Sequence, residues 1–152
     1  MGISLVPVSR ENWEEALSLE VLEEQKPFVP SVAVSLAKVY IKPDGENVQY
    51  LPFAVYASNQ MAGFIMHAFV EQTDDMYWMN GFLIDRRFQG KGYGKAAINA
   101  MIHWIQKQFP QCRAIQLTVH PDNQTAKGLY RSIGFVQTGE KMGEEEVMKL
   151  SV

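Results

Sequence analysis

The sequence predicts a mixed α/β (α+β) domain over residues 1–152, and three observations carry that expectation. Met76 to Ile84 is a nearly continuous apolar run, the pattern of a strand covered on both faces and therefore central in its sheet. Further on, Ile98, Met101, Ile102, Ile105 and Phe109 fall at i, i+3, i+4, i+7 and i+11, one face of a helix. Between the two lies Gln89-Gly90-Lys91-Gly92-Tyr93-Gly94, a glycine-rich strand-to-helix turn.

The remaining elements follow in order. Ile3 to Val8 alternates in part and reads as a first strand. Ser9 is placed to cap the next helix, whose buried face would hold Trp13, Ala16, Leu17 and Val21, with Glu14, Glu15 and Glu20 outside. Lys26-Pro27-Phe28-Val29-Pro30 breaks it. A second short helix runs from about Ser31 to Ile41 and stops before the turn Pro43-Asp44-Gly45. Leu51 to Ala57 and Met61 to Val70 form a hairpin around Ser58-Asn59-Gln60, with Gly63 marking a bulge. Glu71 to Asp75 makes an acidic turn into Met76 to Ile84. Pro110 stops the long helix, and Ala114 to Val119 alternates as a strand. Asp122 or Asn123 caps a last helix to about Ser132, which Gly134 ends, and Phe135 to Lys141 with Glu145 to Leu150 closes the chain as a hairpin. The order is βααβββαβαββ.

Composition narrows the function classes. Hydrophobic residues make up 47% and charged residues 20% of the 152, which is ordinary globular usage. No apolar run reaches the roughly 20 residues of a membrane helix. The start Met-Gly-Ile-Ser-Leu-Val lacks a basic region followed by an apolar stretch, so no signal peptide is expected, and Val6 breaks the myristoylation pattern. Cys112 is the sole cysteine, and His67, His103 and His120 show no ligand spacing, so neither a disulfide nor a metal site is expected. A cytoplasmic protein is the plain expectation. The net charge of −3 disfavours a nucleic-acid partner and suits a cationic small molecule.

The chemistry is expected at the glycine loop. Three glycines alternate at Gly90, Gly92 and Gly94, so the backbone can approach a ligand without Cβ clashes. Free N–H groups at the helix start suit a phosphate, and Lys91, Lys95 and Arg87 add positive charge. The pattern is neither the dinucleotide fingerprint nor a Walker loop, since both need other spacings. A glycine-rich turn without a ligand stays open on these residues alone.

A second segment sharpens the reading. Asn123, Ala126, Leu129, Tyr130, Gly134 and Phe135 resemble the second signature of the GNAT N-acetyltransferase superfamily, and Gln89-x-x-Gly92-x-Gly94 resembles the first. The two stand in the family's order, separated by a helix and a strand, and the element order is similar from residue 3 to 150. The resemblance implies a single domain with a central mixed, mostly antiparallel sheet flanked by helices. It implies acetyl-CoA as cofactor, in a gap where the strand before the loop splays from its neighbour. Backbone groups of Phe82, Leu83 and Ile84 would pair with the pantetheine arm and polarise the acetyl carbonyl. Residues Gln89, Gly90, Lys91, Gly92, Tyr93, Gly94 and Lys95 would hold the pyrophosphate. Asn123 would contact the arm or orient the last helix, and Tyr130 would be the acid that protonates the departing thiolate. Gly128 inside that helix fits either close passage of the cofactor or tight packing. Transfer would be direct, because Cys112 has no evident His partner for a covalent route. A homodimer is implied by analogy alone.

Residues 21–37 and Phe82 to Gly92 are similar to the bacterial spermine/spermidine branch, which implies a polyamine or related primary amine as acceptor. An amine must lose a proton before attack. In polyamine-acetylating relatives a carboxylate commonly stands nine residues before the loop's Gln, and here that position is Asn80, which cannot be a base. Glu71, Asp74 and Asp75, with Glu23 and Glu24, are the substitute acids available in sequence; each also reads as solvated surface charge. Trp78 and Tyr77 are candidates for lining the acceptor site or for filling the core, and His120 reads as a strand-end residue. An amino acid, an aminoglycoside-like amine or a peptide N-terminus is the alternative acceptor, and a non-catalytic acyl-CoA sensor is the alternative class.

Overall fold

The computed structural model describes residues 2–152; Met1, which opens the stretch read as lacking a signal peptide, lies outside them. The elements are β1 (Ile3–Pro7), α1 (Trp13–Leu17), α2 (Val32–Ile41), β2 (Val48–Ala57), β3 (Gln60–Val70), β4 (Tyr77–Ile84), α3 (Tyr93–Gln108), β5 (Ala114–Val119), α4 (Gln124–Ile133), β6 (Val136–Met142) and β7 (Glu145–Ser151), with 3-10 turns at Glu23–Phe28 and Arg86–Phe88. The expected order holds. One seven-stranded sheet runs β1-β2-β3-β4-β5-β7-β6, and every pairing is antiparallel except β4 with β5. The apolar β4 is the middle strand, as its covered faces require.

Both faces of the sheet are packed, and β3 shows how one strand serves two cores. Successive side chains point to opposite faces. Ile65 and Phe69 join Ala97, Ile98, Met101 and Ile105 of α3, together with β5 and Phe135, in one cluster. Phe64, Met66 and Ala68 join Ala16, Val21 and Val32 in the other. The buried face of α3 is the one its periodicity marks, with Phe109 as C-cap before Pro110. Tyr77 belongs to the first core, not to an acceptor site: it is fully buried, parallel to His67 and Phe69, and its hydroxyl donates to Thr73 O at 2.8 Å. Burial holds His67 at a pKa of about 4, so the imidazole is neutral and Nδ1 donates to Trp78 O at 3.0 Å. Cys112 is buried, its thiol pushed up mainly by that burial. A protonated, enclosed sulfur is a poor nucleophile.

Four expectations need correction. The first helix stops at Leu17, where Ser18 caps it and its hydroxyl donates to Glu15 O at 2.6 Å. Of the expected face only Ala16 is buried within the helix; Trp13 and Leu17 are exposed, and Val21 is buried from the extended segment beyond. Ser9 is not the cap. Asn12 occupies that position, and its Oδ1 accepts the Ser9 N–H at 2.8 Å. Pro27 does not break the chain but lies inside a 3-10 turn, which relies on fewer hydrogen bonds than an α-helix.

The bulges matter most. The β2–β3 register passes from Val55↔Gly63 to Tyr56↔Met61, which leaves Ala62 as the extra residue beside Gly63. Gly63 itself lets β3 and β4 approach: a Cβ there would lie 2.4 Å from Leu83 O and 2.9 Å from Ile84 Cδ1. A second bulge, unforeseen, sits in β4. The register jumps from Phe64↔Leu83 to Met66↔Asn80, so Gly81 and Phe82 face the single Ile65. Gly81 takes φ +63°, and a Cβ on it would meet Ser35 Oγ at 2.5 Å. On its other edge β4 pairs with β5 only at Trp78↔Gln116 and Met79↔Leu117. From the bulge onward the two strands part.

Gly63→Ala tests the tight β3–β4 approach. We expect about 1–3 kcal/mol of lost stability, read as a lowered urea midpoint at unchanged m-value. An unaltered midpoint would show that the strands have room to spare.

Candidate active site

A cleft of about 330 Å³ lies in the parting of β4 from β5. Phe82, Leu83 and Ile84 form one wall; Asn123, Ala126, Leu129 and Tyr130 form the other. Gln89, Gly90, Gly92, Tyr93, Gly94 and Lys95 close one end, and Val21, Gln25, Phe28 and Val29 cover it. The backbone of Phe82–Ile84 pairs with β3 on one edge and has no strand partner on the other.

At the loop end Gly90 and Gly92 have φ of +77° and +83°, and Gly92 is the N-cap of α3. The first bond of that end is Ala96 N–H to Gly92 O. The N–H groups of Tyr93, Gly94 and Lys95 therefore have no intrahelical partner, and they lie at the positive end of a 16-residue helix. A Cβ on Gly94 would come into ordinary contact with Leu129, Phe82 and Ile84, so this glycine keeps the cleft open between strand and helix.

Several side chains expected to face a phosphate are used to build the loop instead. Asp85, which is 2% exposed, accepts from Arg87 N–H (2.9 Å), Arg87 Nε (2.8 Å) and Glu20 N–H (3.1 Å). Burial pushes the Asp85 carboxyl up, but the Arg87 and Glu20 hydrogen bonds and the Arg87 charge outweigh it and leave it below the usual value. Arg87 is thus committed to Asp85. Gln89 Nε2 donates to Ile84 O and to Gln25 Oε1, both at 2.9 Å, and Gln25 Nε2 returns a bond to Gln89 Oε1 at 3.1 Å. The Ile84 carbonyl is accordingly occupied. Lys91 is not among the lining residues; its ammonium lies 5.8 Å from the centre of the Phe88 ring. Asn123 is the N-cap of α4, accepting Ala126 N–H at 3.2 Å, and also lines the cleft. Nothing lies within 4 Å of a Cβ built on Gly128, so tight packing does not account for that glycine.

Tyr130 closes the far end. Its phenol is pushed up, chiefly by burial and then by the charge of Glu145, so it keeps its proton at neutral pH. It also lines a second cleft of about 100 Å³, together with Lys38, Asn80, Gly81, Thr118, His120 and Glu145. That cleft shares Lys38, Asn80, Thr118 and Glu145 with a third, of about 380 Å³, which adds Asp44, Trp78 and Met142. The first and second share Phe82, Asn123 and Tyr130, and the third adjoins the second where β4 and β5 are still paired, at Trp78 and Met79. Asn80 lines both the second and the third cleft, and its Oδ1 is buried without a partner.

The other acids read from sequence are not brought to these clefts. Glu23 is exposed and pairs with Lys26 at 2.5 Å, and Glu24 and Glu71 are exposed. Asp74 O accepts Arg113 N–H at 2.6 Å and Asp75 O accepts Gln116 Nε2 at 3.2 Å, both at the end of β4 remote from the loop. None of the five lines any of the three clefts. Glu145 does, and sequence reasoning passed over it. It is the middle of Glu144-Glu145-Glu146, and only the pairing of β7 with β5 sets it beside Thr118, whose hydroxyl donates to it at 2.6 Å.

Residues 13–135 match the family described as "Acetyltransferase (GNAT) family". The chain belongs to that family and is an acetyl-CoA-dependent N-acetyltransferase acting on amines. It is 30% identical to the spermine/spermidine N(1)-acetyltransferase of Bacillus subtilis (strain 168), over 92% of this chain and 91% of that one. In fold it is similar to an aminoglycoside acetyltransferase solved with coenzyme A (TM-score 0.76, 16% identity, 99% and 95% of the two chains covered). It is similar also to the Vibrio cholerae spermidine N-acetyltransferase solved with CoA and spermine (TM-score 0.70, 19% identity, 99% and 94% covered). The described cleft fits the cofactor: an elongated apolar slot for the arm, with unpartnered helix-start amides at one end for the pyrophosphate. Among the described residues no helix is long and apolar enough to cross a membrane, and no group of His, Cys, Asp or Glu is arranged to hold a metal ion.

Gly92→Asp sets a carboxylate at the helix start and a Cβ at φ +83°. We expect CoA affinity to fall by about 100-fold, measured by calorimetry on protein whose circular dichroism is unchanged. Wild-type affinity would remove the loop from the phosphate site.

Proposed function

We propose that the acceptor is a polyamine or a related primary amine, acetylated by direct attack within a ternary complex with acetyl-CoA. The observation that carries this reading is that two adjoining clefts share a wall at Tyr130. Donor and acceptor sides have Phe82, Asn123 and Tyr130 in common, an arrangement that brings an amine beside the acyl group without an acetyl-enzyme. The acceptor side suits a cation, with the carboxylates of Glu145 and Asp44, the orphan Asn80 Oδ1 and the face of Trp78. The relative named for spermine and spermidine, matched over nearly the whole chain, supports the same class.

Acetyl-CoA, when bound, supplies an activated acyl thioester. The chain's part is to position and to handle protons. On the free edge the backbone groups of Phe82 and the N–H of Ile84 would hold the arm and polarise the acyl carbonyl, while the Tyr93–Lys95 amides would hold the anionic end. The Tyr130 hydroxyl, kept protonated by its surroundings, provides the proton for the leaving sulfur. Lys38 favours a second reading. A cation lining both acceptor-side clefts suits an acceptor that carries a carboxylate beside its amine, such as an amino acid or a peptide terminus.

An acetyl-CoA assay across spermine, spermidine, diamines, amino acids and aminoglycosides separates the two. Turnover of polyamines with kcat/KM at least 10-fold above that of the carboxylate-bearing amines is expected; the reverse ranking would assign the cleft to the second class. Tyr130→Phe should lower kcat by about 10²–10³-fold with CoA affinity retained. Undiminished kcat would move the acid role elsewhere.

A further inference from the structure

We propose that Glu145 accepts the proton that the acceptor amine must lose, with Asn80 orienting that amine. The proposal rests on the amine-acetylating reading but not on the acceptor being a polyamine. At the position where a carboxylate would be the simplest base, the chain has an amide that lines the acceptor-side clefts and whose oxygen is buried without a partner. An amide oxygen can accept an N–H and cannot take its proton. Glu145 lines the same two clefts as Asn80, is half-buried, and affects Tyr130 through its charge. Thr118 Oγ1 donates to Oε1 at 2.6 Å, which fixes the carboxylate and leaves Oε2 for the substrate.

The other titratable and charged groups around this passage do not fill the role. Lys38 from α2 is a cation. His120 beyond β5 has its Nδ1 lone pair engaged by Asp122 N–H at 3.1 Å. Asp44 accepts from the Tyr50 hydroxyl and lines only the outer cleft. Tyr130 holds the proton needed for the leaving group. On the flank of Glu145, Glu146 is tied to Lys127 at 2.6 Å.

The step balances. One ammonium N–H bond breaks, its electron pair stays on nitrogen, and the proton bonds to Glu145 Oε2. The lone pair forms the bond to the acyl carbon, and the pair of the broken C–S bond leaves with sulfur. Tyr130 gives sulfur its hydroxyl proton and recovers one from the acylated nitrogen. Glu145 releases its proton to solvent through the outer cleft. The net change is an ammonium and a thioester converted to an amide, a thiol and one proton.

The test uses the best amine from the panel, whichever class it proves to be, so that failure of the polyamine reading leaves this one testable. Glu145→Gln keeps the shape and the Thr118 partner. It should lower kcat/KM by about 100-fold or more and flatten its rise on the acid side, with CoA affinity unchanged. Glu145→Ala should recover activity with added formate. A Glu145→Gln enzyme within about threefold of wild type would overturn the proposal while leaving the acceptor class as the panel finds it. So would lost activity without formate rescue, which would mark a structural role.

Discussion

The site depends on one constraint: β4 cannot stay paired with β5. Two ladder positions, at Trp78 and Met79, are all the parallel pairing there is. The Gly81–Phe82 bulge then turns the strand, and glycine suits position 81 because the turn takes φ +63° and a Cβ would crowd Ser35 Oγ at 2.5 Å. The Phe82 and Ile84 backbone groups that turn away from β3 have no strand partner, so an extended amide-bearing arm could pair with that edge as another strand would. The same parting opens the cleft that Phe82–Ile84 and Tyr130 line in the middle of a packed domain.

Holding the gap at a fixed width falls to the N-terminal segment. Asp85 gathers the amides of Arg87 and Glu20, Arg86 reaches Glu20 at 3.0 Å, and the Gln25–Gln89 amide pair locks the loop to the strand end at Ile84. Charged and polar side chains beside a phosphate loop invite assignment as ligands. Here the backbone of the α3 start offers the donors, and the side chains make that backbone rigid. Preorganised amides cost nothing to reorient when an anion arrives.

The fold was legible in the sequence wherever periodicity was long and breakers were clean. The α3 face, the apolar β4 and the Gly134 boundary of α4 needed no structure, while the choice of Asn123 over Asp122 as its cap did. It failed where local signals compete. Ser9 and Asn12 are both capping residues, and Asn12 won by reaching back to the Ser9 amide. Gly63 and Gly81 are both strand glycines, and only the cross-strand register shows that Gly81 turns β4. The lining of the first cleft could be anticipated because a loop and its helix are contiguous in sequence. The second and third clefts could not, because they join α2, β4, β5 and β7, whose adjacency is topological. Acidic turns drew attention to Asp74 and Asp75, while Glu145 sat unmarked between two other glutamates.

The pairing of Glu145 with Tyr130 has a consequence that neither residue has alone. While Glu145 is charged, it helps hold the Tyr130 proton in place. Once Glu145 takes the amine's proton, that charge is gone, and the phenol becomes a stronger acid than it was in the resting site. The interaction is reciprocal, so each group's readiness is set by the state of the other. Deprotonating the nucleophile thus prepares the proton for the leaving group, and the order of events follows from electrostatics across the gap without any moving part. An aspartate or glutamate at position 80 would put the charge on the middle strand instead. At β7 it shares the acceptor passage with Tyr130, where its loss counts.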